Sequence, residues 1–301
     1  MTQIKANGIT IEYETFGRAA DPALLLIMGF SAQLTMWPVD LCKGLAAKGF
    51  YVIRFDNRDI GKSTHLTQFG QPNVGEAMAA LLSGGTVTAP YQLDDMAADA
   101  AGLLDALNIK SAHIVGASMG GMIAQLVAAK YPQKTKSLVS IMSTTGKRGL
   151  PQATPEAMAA LTTPPASDSV ADRIAAGLKT WRAIGSPGYP ASDAELTAIV
   201  TDAVTRVPYD PDGIGRQMLA IVASPPRNDI LKTVKAPALV IHGADDPLIP
   251  VEGGKDTAAS IPGARLEIVP GMAHDFSAAL VPVYLRLVGD FVSEVERKKA
   301  A

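Results

Sequence analysis

A serine hydroxyl, an imidazole and a carboxylate stand in this chain at places where together they could make an activated nucleophile. The serine is Ser118, within Gly116-Ala117-Ser118-Met119-Gly120-Gly121. A strand-like run, Ala112-His113-Ile114-Val115, precedes it, and a helical period of Met119, Met122, Ile123, Leu126 and Val127 follows, until Pro132 stops it. Glycines flanking a serine at a strand-to-helix turn allow strained backbone and close packing, and they push the hydroxyl toward solvent. A serine without that task would merely cap the helix.

At neutral pH such a hydroxyl needs an imidazole within hydrogen-bond reach, whose other nitrogen is held by a carboxylate. The chain has four histidines. His113 lies inside a strand run and His242 at the end of another, as structural histidines would, while His65 follows Gly61-Lys62-Ser63-Thr64 and is an alternative base. His274 is the better placed, because Val269-Pro270-Gly271-Met272-Ala273-His274 reads as a strand and then a loop that delivers an imidazole. For the acid, Ile241-His242-Gly243-Ala244-Asp245-Asp246-Pro247 is a strand end and a turn; Asp246 is favoured and Asp245 is the fallback. Aspartates before proline also serve as plain turn and cap residues. The chain order of nucleophile, acid and base, each after an apolar strand, favours the catalytic reading.

The elements that must position these groups follow from hydrophobic rhythm. Ile9 to Phe16 alternates as an antiparallel edge strand would, and residues 23–28, 50–55, 112–115, 137–142, 238–242 and 266–269 are short apolar runs suited to strands buried on both faces. Helical segments such as Leu93 to Leu107 and Met119 to Lys130 separate them. The expected fold class is therefore α/β, with a doubly wound, mostly parallel sheet and ligands beyond the carboxyl ends of its strands. From about Gly146 to Val234 the strand rhythm gives way to alanine-rich helical pieces broken by prolines. This predicts a core of residues 1–145 and 235–301, and a helical lid of residues 146–234 over the carboxyl edge.

Composition narrows the function classes. The chain has 301 residues, 48% of them hydrophobic, with 27 basic and 29 acidic side chains for a net charge of -2. That balance speaks against a nucleic-acid partner. Cys42 is the single cysteine, which leaves no disulfide or thiolate cluster and suits a reducing cytoplasm. No apolar run approaches a bilayer span, and the first residues lack a signal-peptide core, so neither membrane nor export is expected. Gly61-Lys62-Ser63 invites a phosphate-loop reading, but Asp56 stands where the first glycine of that loop is required. Metal-ligand spacing is also lacking, so no metal and no cofactor are expected.

With these motifs in place, the chain resembles an α/β-hydrolase fold enzyme over nearly its whole length. Leu26 to Phe30 resembles the oxyanion loop after the third strand, Phe55 to Ser63 the loop after the fourth, and Gly116 to Gly120 the nucleophile elbow. Gly243 to Pro250 matches the acid turn with Asp246 in the acid's place, and Gly271 to His274 matches the base loop. Met28-Gly29 stands where many relatives have His-Gly; with an Arg-Asp-x-Gly-x-Ser loop it is similar to a bacterial esterase group that includes the aclacinomycin methylesterases. The resemblance implies an eight-stranded sheet, oxyanion donors at the backbone N–H groups of Phe30 and Met119, and a serine carboxylesterase. Gly29, Trp37, Met142, Trp181, Met218 and Leu248, with Phe30 and Met119, are expected around an apolar substrate pocket for a neutral ester or lactone. Lactonase, perhydrolase and carbon–carbon bond hydrolase remain alternatives on the same residues, as does a slow or non-catalytic ligand-binding protein. A homo-oligomer is compatible with all of them.

Overall fold

In the computed structural model, which describes residues 1–300, eight strands form one sheet in the order β1-β2-β4-β3-β5-β6-β7-β8. Along the chain the strands are β1 (Thr2–Ala6), β2 (Ile9–Phe16), β3 (Ala23–Ile27), β4 (Tyr51–Phe55), β5 (Ala112–Ala117), β6 (Thr135–Ile141), β7 (Ala238–Gly243) and β8 (Arg265–Val269). The β1–β2 and β2–β4 pairs are antiparallel and all later pairs are parallel. Ile9 to Phe16 is thus not the edge strand expected of it: β1, a strand with a single buried residue, covers it and takes that place.

The central parallel strands are mainly apolar because both faces are covered, whereas the edge strand β8 is mostly exposed. Leu24 and Leu26 point to one side, with Val52, Val115, Val139 and Ile241, and Leu25 and Ile27 point to the other, with Ile53, Phe55 and Ile114. The first face is closed by α1 (Val39–Ala47) and, at the far end of the chain, α11 (Val281–Ala300), which supply Leu41, Leu45, Tyr284 and Val288. The second is closed by α3 (Leu93–Ala106) and α4 (Met119–Lys130) through Leu103, Leu104, Ile123 and Val127; α2 (Val74–Leu82) lies earlier in the chain.

Between β6 and β7 the chain carries α5 (Pro155–Thr162), α6 (Val170–Ile184), α7 (Asp193–Arg206), α8 (Pro211–Ala223) and α9 (Asn228–Leu231), and α10 (Val251–Ser260) precedes β8. Hydroxyl or carboxylate caps open α5 to α8: Thr154, Ser169, Ser192 and Asp210 each accept a backbone N–H from the first turn that follows. Arg227 fastens the two ends of the insertion. Its own N–H donates to the Thr145 carbonyl at 2.9 Å and its guanidinium to the Thr144 carbonyl at 2.8 Å. Among the described residues no helix is long and apolar enough to cross a membrane.

Candidate active site

Ser118 occupies the single residue between β5 and α4, with φ 56° and ψ −122°. An L-residue in that region costs of the order of 1–3 kcal/mol, so its surroundings must enforce it. Packing does so. A Cβ on Gly116 would lie 2.0 Å from the Gly120 carbonyl oxygen, and one on Gly120 would lie 2.0 Å from that of Ile27. The Ser118 N–H donates to the Ile141 carbonyl at 2.9 Å, while its own carbonyl accepts from Gly121 N–H at 2.9 Å and from Ser143 Oγ at 2.8 Å. The turn is therefore held from the sheet side and from the helix side at once.

Ser118 and His274 line one cavity of about 240 Å³. His274 Nδ1 and Asp246 Oδ2 are 2.7 Å apart, so a neutral ring donates its Nδ1–H to the carboxylate and keeps Nε2 as its basic nitrogen. The other oxygen, Asp246 Oδ1, accepts from the Leu248 and Ile249 N–H groups, each at 2.9 Å. Burial opposes the charge on Asp246, but the adjacent His274 ring and its hydrogen bond, with His242 and the Ile249 amide, outweigh it and hold the carboxyl below the usual carboxylate range.

The remaining candidates lie elsewhere. Asp245 is exposed, and its carboxylate accepts from the Gly271 N–H at 2.7 Å, a brace for the base loop. His65 is bound to Asp210 at 2.5 Å and to the Gly61 carbonyl at 3.0 Å, and His113 to Ser137 at 2.7 Å. His242 donates from Nε2 to the Ile249 carbonyl at 2.8 Å, and burial pushes its pKa down.

The insertion grips the base loop. His274 N–H donates to the Ile184 carbonyl at 2.9 Å, Gly188 N–H to that of Gly271 at 2.8 Å, and Ala273 N–H to Ser186 Oγ at 2.7 Å. Ser186 Oγ donates in turn to Asp275 Oδ1 at 2.5 Å. Burial raises the Asp275 carboxyl, more than its bonds to Ser186 lower it. Asp275, the neighbour of His274, has no marker of its own in the sequence beyond being an acid next to a candidate catalytic histidine.

Gly29, Phe30, Met142, Trp181 and Leu248 line the cavity with the serine and the histidine. Trp37 and Met218 do not: Trp37 is fully buried with its ring 4.7 Å from that of Phe276, which takes the lining position instead, and Met218 is half-buried on α8. Met119 does not line the cavity either: it is buried at the first position of α4, where the N–H has no intrahelical acceptor. Gly29 lets the following Phe30 loop lie against the elbow, since a Cβ there would sit 3.1 Å from Ser118 Cβ. One face of α6, formed by Gly177, Thr180, Trp181 and Ile184, roofs the cavity. That stripe has helical spacing, a signal of which only Trp181 was used.

Asp59, His65 and Asp210 bring ligand-type atoms within 4.8 Å of one another, as a metal site would. Arg216 already supplies the cation: it donates to both Asp59 oxygens, at 3.0 and 2.8 Å, and lies 3.7 Å from Asp210. The trio does not suit a metal ion.

A doubly wound sheet with a serine at a tight turn after a central strand, and loops bearing an aspartate and a histidine after later strands, is the architecture of the α/β hydrolases. A family model described as alpha/beta hydrolase fold matches residues 22–277, and the chain belongs to that family. Among characterised relatives it is 27% identical to rhodomycin D methylesterase DauP of a Streptomyces species, over 92% of this chain and 93% of that protein. It is 26% identical to 3-oxoadipate enol-lactonase 2 of Acinetobacter baylyi, over 88% of this chain and 87% of the relative. The enol-lactonase structure from Burkholderia xenovorans shares the fold, with a TM-score of 0.74 at 22% identity over 97% of this chain and all (100%) of that one.

Proposed function

We propose that this carboxylic ester hydrolase works as a serine esterase on a neutral ester with a compact, apolar acyl part. The observation that carries the reading is the shared cavity of Ser118 and His274, with Asp246 on the far nitrogen of the ring. His274 Nε2 takes the Ser118 proton as Oγ attacks the ester carbonyl, and Asp246 stabilises the imidazolium that forms. The Phe30 and Met119 N–H groups receive the charge that develops on the carbonyl oxygen. His274 returns the proton to the leaving alcohol, an acyl-enzyme remains, and a water activated by the same nitrogen releases the acid. Helices of the 146–234 stretch act as a lid that excludes bulk water from this sequence of steps.

The second reading, a lactonase, draws support from the enol-lactonase relative. Oxoadipate is a carboxylate, and a buried carboxylate calls for a cationic partner. Among the described residues lining the cavity, His274 is the only ionisable side chain. This favours an uncharged substrate, whether open-chain ester or neutral lactone, and the small volume favours a short one.

Labelling with a fluorophosphonate, combined with hydrolysis of p-nitrophenyl esters of increasing chain length, tests the proposal. Wild-type protein is expected to label and turn over short esters, and Ser118→Ala to do neither. Asp246→Asn should lower kcat by about 10⁴, as loss of the oriented tautomer does in such triads, whereas Asp245→Asn should be mild. Stoichiometric binding without turnover would replace the esterase reading by a receptor.

A further inference from the structure

One buried amide of the insertion reaches the loop that carries Phe30. Gln217 lies on α8 and is fully buried. Its Oε1 accepts from the Ser31 N–H at 3.0 Å, and its Nε2 donates to the Arg58 carbonyl at 2.7 Å. An amide in such a place is tolerated only because both of its ends are satisfied. The far support is rigid: Arg58 donates to both oxygens of Asp99, at 2.6 and 2.8 Å, and stacks 4.9 Å from the Tyr91 ring centre.

The near partner is strained. Ser31 has φ 55°, a left-handed conformation that a serine keeps only where neighbours hold it. The bond from Ser31 N–H to Gln217 fixes the peptide plane joining Phe30 to Ser31, and so restricts the torsions that aim the Phe30 N–H. Arg206 of α7 adds a second anchor one residue beyond Ala32, donating to Gln33 Oε1 at 2.6 Å.

From this geometry we infer that Gln217 is a positioning residue: it sets the loop after β3 so that the Phe30 N–H faces the developing oxyanion, which makes seating of the insertion a condition for transition-state stabilisation. The inference rests on the serine esterase reading. Gln217 does not itself line the cavity, so its loss acts through the loop and falls mainly on the chemical step.

Gln217→Met keeps the volume and removes both hydrogen bonds, and Gln217→Glu keeps an oxygen acceptor for Ser31. The expected result for Gln217→Met is a loss of about tenfold or more in kcat with KM nearly unchanged, because an interaction used only in the transition state is weakened. Affinity for a boronic acid that adds to Ser118 should fall in parallel, Gln217→Glu should restore part of both, and hydrogen exchange at the Ser31 amide should quicken in Gln217→Met. Should that variant fail to fold, Gln217→Asn, one methylene short of Ser31, carries the same comparison. Unaltered Ser31 exchange, or a rise in KM with kcat and boronate affinity unchanged, would overturn the inference. Failure of the esterase reading shows separately, as wild-type protein that neither labels nor turns over esters; Ser31 exchange then still decides whether Gln217 holds the loop.

Discussion

His65 and His242 take opposite sides of the same acid–base equilibrium, and their surroundings say why. Both ring nitrogens of His65 face acceptors, Asp210 and the Gly61 carbonyl, and the charged ring can donate to both. Burial pulls its pKa down, but the Gly61 and Asp210 bonds, with the charges of Asp210 and Asp59, raise it above the ordinary 6.5. Stability from His65 is therefore complete below pH 6.5 and is lost as pH rises through the higher folded value. Burial lowers His242 from the same 6.5, so its contribution is complete above that pH and drains away as acid charges the unfolded chain first. Thermal melts followed from about pH 5 to 9 should show His65→Gln flattening the alkaline limb and His242→Gln flattening the acid limb. The reverse assignment would mean that the two environments have been misread. Asp246 adds a further loss at lower pH, since a carboxyl held below 3.8 in the fold stabilises above that value and ceases to do so as it is protonated.

At the scale of elements, α8 is fastened to the core by ions as well as by apolar packing. Arg216 and Asp59 are both almost wholly buried, and the guanidinium also donates to the Gly70 carbonyl at 2.9 Å. Removing one partner leaves the other charge without compensation, so Arg216→Met should cost about 3–5 kcal/mol in urea unfolding. Pairing it with Asp59→Asn should recover much of that loss, and a double variant as unstable as the single one would show that packing, not charge, is what Arg216 provides. Such bonds mark the limit of what periodicity reveals. The buried strands announce themselves because each is built on a short, mainly apolar run; 238–242 falls within one residue of β7, and 266–269 within one residue of the largely exposed edge strand β8. Thr2–Ala6 escapes because an edge strand with one buried side chain has no apolar pattern to show. In α8, Arg216 and Gln217 are buried beside Leu219 and Ala220, but in sequence they look like a solvated face until their partners about 160 residues earlier are seen. The motifs of the candidate site were legible for the opposite reason: each sits at a strand end, where fold and chemistry share one short stretch of chain.

Over the whole molecule, the insertion is attached unevenly, and this decides which part of it can move. On α8, Gly213, Gly215, Arg216, Gln217, Leu219 and Ala220 are buried, and a Cβ on Gly213 would meet the Asp59 carbonyl oxygen at 2.6 Å. On α5 only Ala157 and Ala160 are buried, on α6 only Ile184 and on α7 only Val200. The cavity roof belongs to this second group, through Leu161, Gly177, Thr180 and Trp181. Helices with little buried surface open at low free energy, whereas those sharing the core's contacts open only with it. Hydrogen exchange should accordingly find α8 protected almost as well as α4, with α5 and the first turns of α6 exchanging much faster. The C-terminal end of α6 should behave differently from its start, because Ile184 and Ser186 hold the base loop and cannot leave it without moving His274. Entry to the cavity would then occur by lifting α5 and the front of α6, while α8 keeps its hold on Ser31 and the end of α6 keeps its hold on His274. A boronic acid bound at Ser118 should slow exchange in α5 and α6 and leave α8 unchanged; uniform exchange across all of these helices would mean that the insertion opens as one rigid piece.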